Sequence, residues 1–572
     1  MSIREYLTIT PIVLLFGLCL TLPSELMAQV ESEAFGGVVS SQQEGNMEGV
    51  VVTARKIGAN FDVSVVSNEQ GRYSFPRTHL DPGYYNLKIR AVGYELGSRD
   101  SVDVVSDQPA TLDLTLVETQ DLSSQLNSVE WLMSIDGTDE QKAMVVKQIM
   151  SCTYCHSLER IIKSNHNAEQ MVNVITRMMK YFPDGSMAGT EGRGRAQFHS
   201  PEMQEFAEQN EVWGFAPGVN KSDLAAYLAT INTSDGKALP TELKVLPRPS
   251  GKDTQVIITQ YDMPRKSTVP HDMDVDSTGT PWYTDQSRPF LGKMDPQTGV
   301  FTEYEFPVAT THAWTGGSDV QVDADDNIWF PLTTDKTEGH FGWPVKFDPK
   351  TETWETADMP EGVMTQFFTL GPDGKIWSGF SNFVRINPDT LEVEYQLDWT
   401  KADNLPPGPH SGYEPAVDSQ GNPYITDFGG SYIVKADVET DEVKFFKVPT
   451  PNSQPRRGRM DSQDRFWFAE YTGDKIAMLD TKTEQFKEWS PSMKWAGPYT
   501  SSLPNNKGRV FAPSSMSDRL LRLDPATDEI VEYLLPTQDF DAKQLQIDPI
   551  GGRAVWLANV RNARLVKIEP ID

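Results

Sequence analysis

The sequence predicts a multidomain, mainly β protein made of a small β-sandwich, a helical unit and a seven-bladed β-propeller. Three observations predict it. Turn formers and aromatics are abundant, with 41 Gly, 39 Pro and 10% Phe, Trp and Tyr, which favours short strands over long helices. A motif of about 43–48 residues recurs seven times over the C-terminal half. Between residues 139 and 232 the hydrophobic period changes from two to the helical 3.6. At 572 residues the chain also exceeds what one core can organise, at roughly 150 residues per domain.

The first unit spans residues 35–117. Apolar and polar residues alternate in short runs such as Val50-Val51-Val52, Tyr73-Ser74-Phe75 and Tyr85-Asn86-Leu87-Lys88-Ile89, the pattern of half-buried strands. The segments Asn68-Glu69-Gln70-Gly71-Arg72-Tyr73-Ser74-Phe75, Asp81-Pro82-Gly83-Tyr84-Tyr85 and Val92-Gly93-Tyr94 resemble the carboxypeptidase regulatory-like domain, with glycines where its turns need positive φ. The resemblance implies a carbohydrate-binding-like sandwich without catalytic residues, in a structural, docking or sugar-binding role.

In the second unit, residues 139–232, helices are expected at Glu140 to Met150, Asn167 to Phe182 and Lys221 to Ile231. The first runs into Cys152-Thr-Tyr-Cys155-His156. Two thiols at this spacing can form thioethers to the vinyl groups of a haem, and the adjacent imidazole reaches the iron. A thioredoxin-like pair would need a strand before the motif, and a zinc site two further ligands. Residues 150–231 resemble class I-type c cytochromes, from Cys155-His156-Ser157-Leu158-Glu159 to the closing helix around Asp223-Leu224-Ala225-Ala226-Tyr227-Leu228. That implies covalently bound haem c, with Cys152, Cys155 and His156 as attachment and proximal residues. Met171, Val174, Ile175 and Met178 form one helical stripe. Such a stripe is ordinary core packing, yet the resemblance puts Met178 at the distal metal position; Met179, Met187, Met203, His166 and His199 are the alternatives. Residues 235–252, with Pro240, Pro247, Pro249 and Gly251, read as a linker.

Residues 255–572 hold the repeat. Each copy has an aromatic (Trp282, Trp329, Trp377, Tyr424, Trp467, Phe511 or Trp556) and then a turn beginning at Asp295, Asp348, Asn387, Asp437, Asp480, Asp524 or Glu569. The last copy lacks its outer strand. Ile258-Thr259-Gln260-Tyr261-Asp262 matches the missing piece, so residues 255–262 are expected to complete the seventh blade and close the ring. The repeat resembles the virginiamycin B lyase (streptogramin lyase) family, in which channel-facing His and Glu residues and a magnesium ion open an ester-linked ring by elimination. That family's His-to-acid spacing of fourteen is matched by His271 and Asp285. The same spacing gives Ser318, Gln366, Tyr413, Arg456, Thr500 and Leu545 at the His position, and Leu332, Phe380, Asp427, Glu470, Ser514 and Asn559 at the acid position. The candidate catalytic set is His271, Asp285, Glu470 and Arg456, with Asp427, Arg457 and Tyr499 beside it. A His near carboxylates can act as a general base, and the carboxylates can hold a divalent ion such as Mg. The competing reading is that acids at strand ends tie blade turns together.

The net charge of −30 argues against nucleic-acid partners. The apolar stretch Ile9 to Leu20, followed by Met27-Ala28-Gln29, reads as a signal peptide over residues 1–28, implying a periplasmic or secreted protein with no membrane span after cleavage. Cys19 falls inside that segment and offers a lipoprotein alternative. The expected function is electron transfer coupled to binding or oxidation of an organic substrate, with a redox partner protein. A metal-assisted C–O lyase and a glycan- or protein-binding module carrying a cytochrome are the alternatives.

Overall fold

The computed structural model describes residues 32–106, 108–147, 156–179, 220–240, 242–286, 288–306, 316–333, 343–356 and 367–572. The expected signal segment, Cys152, Cys155, Gln366, Met187, His199 and Met203 lie outside these residues, as does the side chain of Met178.

The N-terminal unit is a sandwich. Strand Glu33–Ser41 anchors one sheet, pairing with Arg72–Pro76 and, in parallel, with Leu114–Glu118. The other sheet runs Phe61–Val66, Val51–Lys56, Gly83–Arg90, Ser101–Val104. Phe35, Tyr73, Phe75, Leu87 and Leu114 fill the space between them. Gly71 has φ +72°, a conformation in which a Cβ would be strained, and Asn68 closes that turn by accepting the N–H groups of Gln70 and Arg72.

Six further sheets follow in sequence, and the last strands of the chain with Val256–Asp262 make a seventh blade. Each shares a buried core with the next: Trp282 packs with Phe330 and Phe347, Trp329 with Phe368 and Ile376, and Trp377 with Ile425. Tyr424 packs with Phe466, Trp467 with Val510 and Leu521, and Phe511 with Leu545 and Val555. Trp556 then meets Met273 and Tyr283 of the first sheet. Seven blades joined last to first form a closed propeller. The recurring aromatics are therefore the inter-blade core, with their polar edges satisfied: the indole N–H groups of Trp282, Trp329 and Trp467 donate to the Asp six residues earlier at 2.9 Å. The second repeated turn is held in the same way, since Asp295, Asp348, Asn387, Asp437 and Asp480 each accept two following N–H groups.

Strand Val256–Asp262 pairs along its whole length with the last strand, Arg564–Pro570, completing blade seven. Its other edge pairs antiparallel with Phe61–Val66 of the sandwich, Thr259 opposite Val63. Blade seven and one sandwich sheet are thus a single eight-stranded sheet, and the strand that would present an open edge is covered on both sides.

The intervening helices are Ser128–Ser134, Asp139–Lys147, Glu159–Ile162, Ala168–Met179 and Lys221–Ile231. The first was not expected. Asn127 caps it in a reciprocal box with Glu130 and also donates to the Ser517 carbonyl of blade six. The proline-rich segment 235–252 is fastened to its surroundings: Leu246 N–H donates to Glu130, Arg248 to the Glu48 carbonyl, and Arg519 to the Pro247 carbonyl. Among the described residues no helix is long and apolar enough to cross a membrane.

Candidate functional site

The innermost strands of four blades slip register at one level, between Pro270 and Met273, Gly412 and Pro415, Arg456 and Arg459, and Ala542 and Leu545. A bulge re-aims side chains, and here consecutive residues, His271 with Asp272 and Tyr413 with Glu414, both take part in contacts that reach other blades. Strand pairing defines equivalent positions. Pro270 faces Asp285, Gly317 faces Leu332, Gly412 faces Asp427, Pro455 faces Glu470, Pro498 faces Ser514 and Ala542 faces Asn559. The next residue in each inner strand is His271, Ser318, Tyr413, Arg456, Tyr499 or Lys543, and Phe367 holds this place in blade three.

These side chains form a ring about the axis. Phe367 and Tyr413 have ring centroids 4.5 Å apart, and His271 and Phe367 6.4 Å. The Tyr413 and Tyr499 hydroxyls are hydrogen-bonded to each other although blades four and six are not neighbours. The Arg456 guanidinium lies 4.3–4.4 Å from the rings of Phe428, Tyr471 and Tyr499, a cation–π enclosure. Lys543 Nζ sits 4.3 Å from the Tyr499 ring and donates to Asp541 at 2.6 Å. Burial pushes this lysine down to about 7 even though Asp541 supports its charge.

Beneath the ring lies a buried ionic cluster. Arg457 of blade five reaches Asp272 of blade one at 2.9 Å and Glu414 of blade four at 3.4 Å, all three fully buried. Blades one and five are not adjacent, so this contact crosses the axis. Burial works against every charge here. Arg457 and His271 nonetheless hold Asp272 below the usual carboxylate range, whereas burial, followed by Asp272 and Glu414, raises Asp319 well above it. His271 Nδ1 lies 3.0 Å from Asp272 Oδ1, and burial depresses the imidazole so that it is neutral. A neutral His oriented by a carboxylate can accept a proton.

The other expected site residues sit elsewhere. His271 is partnered by Asp272 rather than Asp285, whose carboxylate accepts the Val269 N–H and pairs with Arg265 at 3.3 Å. Asp427 binds His410 at 2.7 Å and two backbone N–H groups. Glu470 is raised to about 8 by burial and by Glu488, a neighbour in the outermost strand of its own blade. Asp285 and Asp427 fasten the ends of their own blades, whereas Glu470 is buried beside Glu488. Arg456 and Tyr499 are in the ring, and Arg457 is in the cluster below it. Lys543 was missed because the fixed spacing of fourteen pointed to Leu545. In blade seven the turn from Asp548 to Trp556 is two residues longer than its counterparts, and Gly551 and Gly552 both have positive φ there.

The helices cover this end of the propeller. Trp131, Leu132, Leu158, Ile162, Met171, Leu224 and Leu228 share one core with Tyr471, Tyr499 and Met516, with Tyr413, Phe428 and Trp495 packed at its margin. Val129 N–H donates to the Met516 carbonyl, and Ser128 Oγ accepts the Leu158 N–H at 3.3 Å. His156, two residues before Leu158, is half-buried with Nδ1 2.8 Å from the Ser157 carbonyl. Burial is the main cause lowering its pKa. Arg160 and Arg561 also lower it, and Asp539 opposes them.

The sequence profile of the carboxypeptidase regulatory-like domain matches residues 34–117, and no curated protein matches the chain. Among solved structures, virginiamycin B lyase from Staphylococcus aureus is similar at 18% identity and a TM-score of 0.46, covering 55% of this chain and 99% of that one. A streptogramin B lyase structure is similar at 18% identity and TM-score 0.48, covering 56% and 99%. YCF48 from Cyanidioschyzon merolae is similar at 13% identity and TM-score 0.45, covering 55% and 99%. The chain is a mainly β, multi-sheet protein that opens with a carboxypeptidase regulatory-like domain.

Proposed function

We propose that this is an exported c-type cytochrome in which the helical unit carries haem at the mouth of the propeller, and that the axial ring binds an organic molecule exchanging electrons with it. One observation carries the reading: the segment bearing His156 and the aromatic ring of the propeller belong to the same buried core. The residues present fit haem c. Cys152 and Cys155 would supply the thioethers and His156 the proximal nitrogen. The Nδ1 contact with the Ser157 carbonyl leaves Nε2 of a neutral imidazole for iron, the orientation that an outer hydrogen bond imposes on a ligating histidine. Met178 remains the proposed distal ligand. When bound, the haem supplies one-electron chemistry.

The ring does the rest with the chain's own groups. Phe367 and Tyr413 offer faces for an apolar body, Arg456 and Lys543 offer positive charge, and His271, oriented by Asp272, accepts a proton that accompanies an electron. The covering helices exclude water. Covalent haem attachment outside the cytoplasm is consistent with the expected signal segment. In the lyase reading the carboxylates near His271 would hold a divalent ion. Arg457 already engages Asp272 and Glu414, so that reading is less well supported.

The test is the absorption spectrum of the exported protein while candidate substrates are added. A c-type spectrum that becomes reduced supports the proposal. Colourless protein, or pigment removed by acidified acetone, ends it.

A further inference from the structure

Lys543 brings a nucleophilic nitrogen to the ring as well as a charge. It sits at the register slip of the inner strand of blade seven, and its side chain is fully buried. Nζ donates to Asp541 Oδ2 at 2.6 Å, and the same oxygen lies 3.4 Å from Arg561. Lys543 Nζ and the Arg456 guanidinium are 4.3 and 4.4 Å from the Tyr499 ring. Arg456 is also 4.3 Å from the ring of Tyr471. Tyr471 is 1% exposed, and its Oη has no hydrogen-bond partner among the described residues. A buried phenol left unpaired is costly, so this hydroxyl points to a bound polar atom. The titratable and charged groups around Lys543 are Asp541 on its own strand, Arg561 in the next turn, Arg456 on blade five, Tyr499 on blade six and His271 on blade one. An amine, a carboxylate beside it and an unsatisfied phenol therefore meet in one water-poor cluster at the axis.

We propose that Lys543 joins an aldehyde or ketone carrying a carboxylate, held in the axial ring, as an imine. This rests on the reading of the ring as a binding site and is independent of haem. Asp541 accepts one proton from the ammonium group. The neutral amine adds to the carbonyl carbon, the C=O pair moves onto oxygen, and a second nitrogen proton passes to that oxygen to give the carbinolamine. Asp541 then protonates the hydroxyl, which leaves as water while the nitrogen lone pair forms the C=N bond. No oxidant or reductant is consumed. Tyr471 Oη donates to the reacting oxygen, and Arg456 pairs with the carboxylate. Burial and neighbouring cations make a lysine nucleophilic near neutral pH. Here burial, opposed by Asp541 and assisted by Arg561 and Arg456, brings Lys543 to about 7.

The experiment treats the full-length protein with 4-formylbenzoate and cyanoborohydride and follows each lysine by peptide mass spectrometry. The reagent gives hydride to the imine and fixes it as a secondary amine. Near neutral pH, Lys543 is expected to be labelled at least about tenfold faster than exposed lysines, of which only on the order of one in a thousand is neutral there. Lys401 and Lys494, with side chains 81% and 75% exposed, are the internal references. The Lys543 rate should level off above its pKa of about 7, while the reference rates keep rising with pH. Lys543→Met should lose the fast adduct alone, and the comparison within the wild type serves if that variant does not accumulate. Binding of 4-methylbenzoate, which has no carbonyl to attack, is measured by calorimetry in parallel. If 4-methylbenzoate binds and Lys543 is labelled no faster than Lys401, the inference is overturned and the ring reading stands. If neither compound binds and Lys543 stays unlabelled, both are overturned.

Discussion

Arg457→Met should destabilise the propeller more than any other single change at the axis. The guanidinium is fully buried, 2.9 Å from Asp272 and 3.4 Å from Glu414, and at an effective dielectric of about 20 a pair at 2.9 Å attracts by roughly 6 kcal/mol. Desolvation consumes much of that attraction. Removing one partner of a buried pair typically costs about 3–5 kcal/mol, and here Asp272 is left with His271 alone at 3.0 Å while Glu414 keeps Arg459 at 3.6 Å. The assay is urea unfolding followed by the fluorescence of the inter-blade tryptophans, applied to Arg457→Met, Asp272→Asn and the double variant. Asp272→Asn removes one stranded charge, so the double variant should be less destabilised than the two single costs added, with a coupling of about 1–3 kcal/mol. Additivity within about 0.5 kcal/mol would refute the cross-axis pair and the placement of His271 that depends on it.

Glu470→Gln tests the structural role of that carboxyl. Its folded pKa of about 8 exceeds the unfolded value, so its contribution to stability is present below the ordinary carboxyl range and is lost as pH rises through 8. At about 1.4 kcal/mol per unit, over the nearly three units between pH 5 and 8, the variant should gain roughly 4 kcal/mol on the wild type between pH 5 and 9; thermal unfolding showing a constant difference contradicts this. Cys152→Ser combined with Cys155→Ser should give folded, colourless protein with unchanged far-ultraviolet circular dichroism. Arg90→Met removes the buried 2.6 Å pair with Asp518 that fastens the sandwich to blade six. Faster proteolytic release of a fragment near residues 34–117 is expected, and a cleavage rate equal to the wild type's would argue against that fastening.

The propeller was legible because each blade repeats the same local solution, an Asp turn that receives an indole N–H and a second Asx turn after the third strand. Closure by Val256–Asp262 was legible because that strand repeats the residues blade seven lacks. The junction of Val256–Asp262 with Phe61–Val66 was not, since alternation tells which face of a strand is buried but not which strand lies beside it. Helix Ser128–Ser134 has only seven residues and is stabilised by its cap and by blade six, neither of which has a periodic signature. The ring was half legible: His271, Ser318, Tyr413 and Arg456 follow the repeat spacing, while the longer blade-seven turn hid Lys543. Contacts across the axis, such as Arg457 with Asp272, join residues 185 apart in sequence and leave no local trace.

A helical unit followed by a Pro-rich segment invites the idea of a tethered module that swings between sites. The attachments argue otherwise. Leu246 and Pro247 of that segment are bonded to Glu130 and Arg519, and Arg248 and Gly251 to the sandwich at Glu48. The sandwich continues the sheet of blade seven, and the first helix is capped onto blade six. Releasing the helical unit would break all of these and expose the core it shares with Tyr471 and Tyr499, whose apolar burial alone is worth about 25 cal/mol for each Å². On the proposed reading, electron exchange takes place at a fixed separation, with the ring and the His156 segment packed into one core. Substrate selection, on that reading, comes from the ring and its covering helices rather than from domain motion.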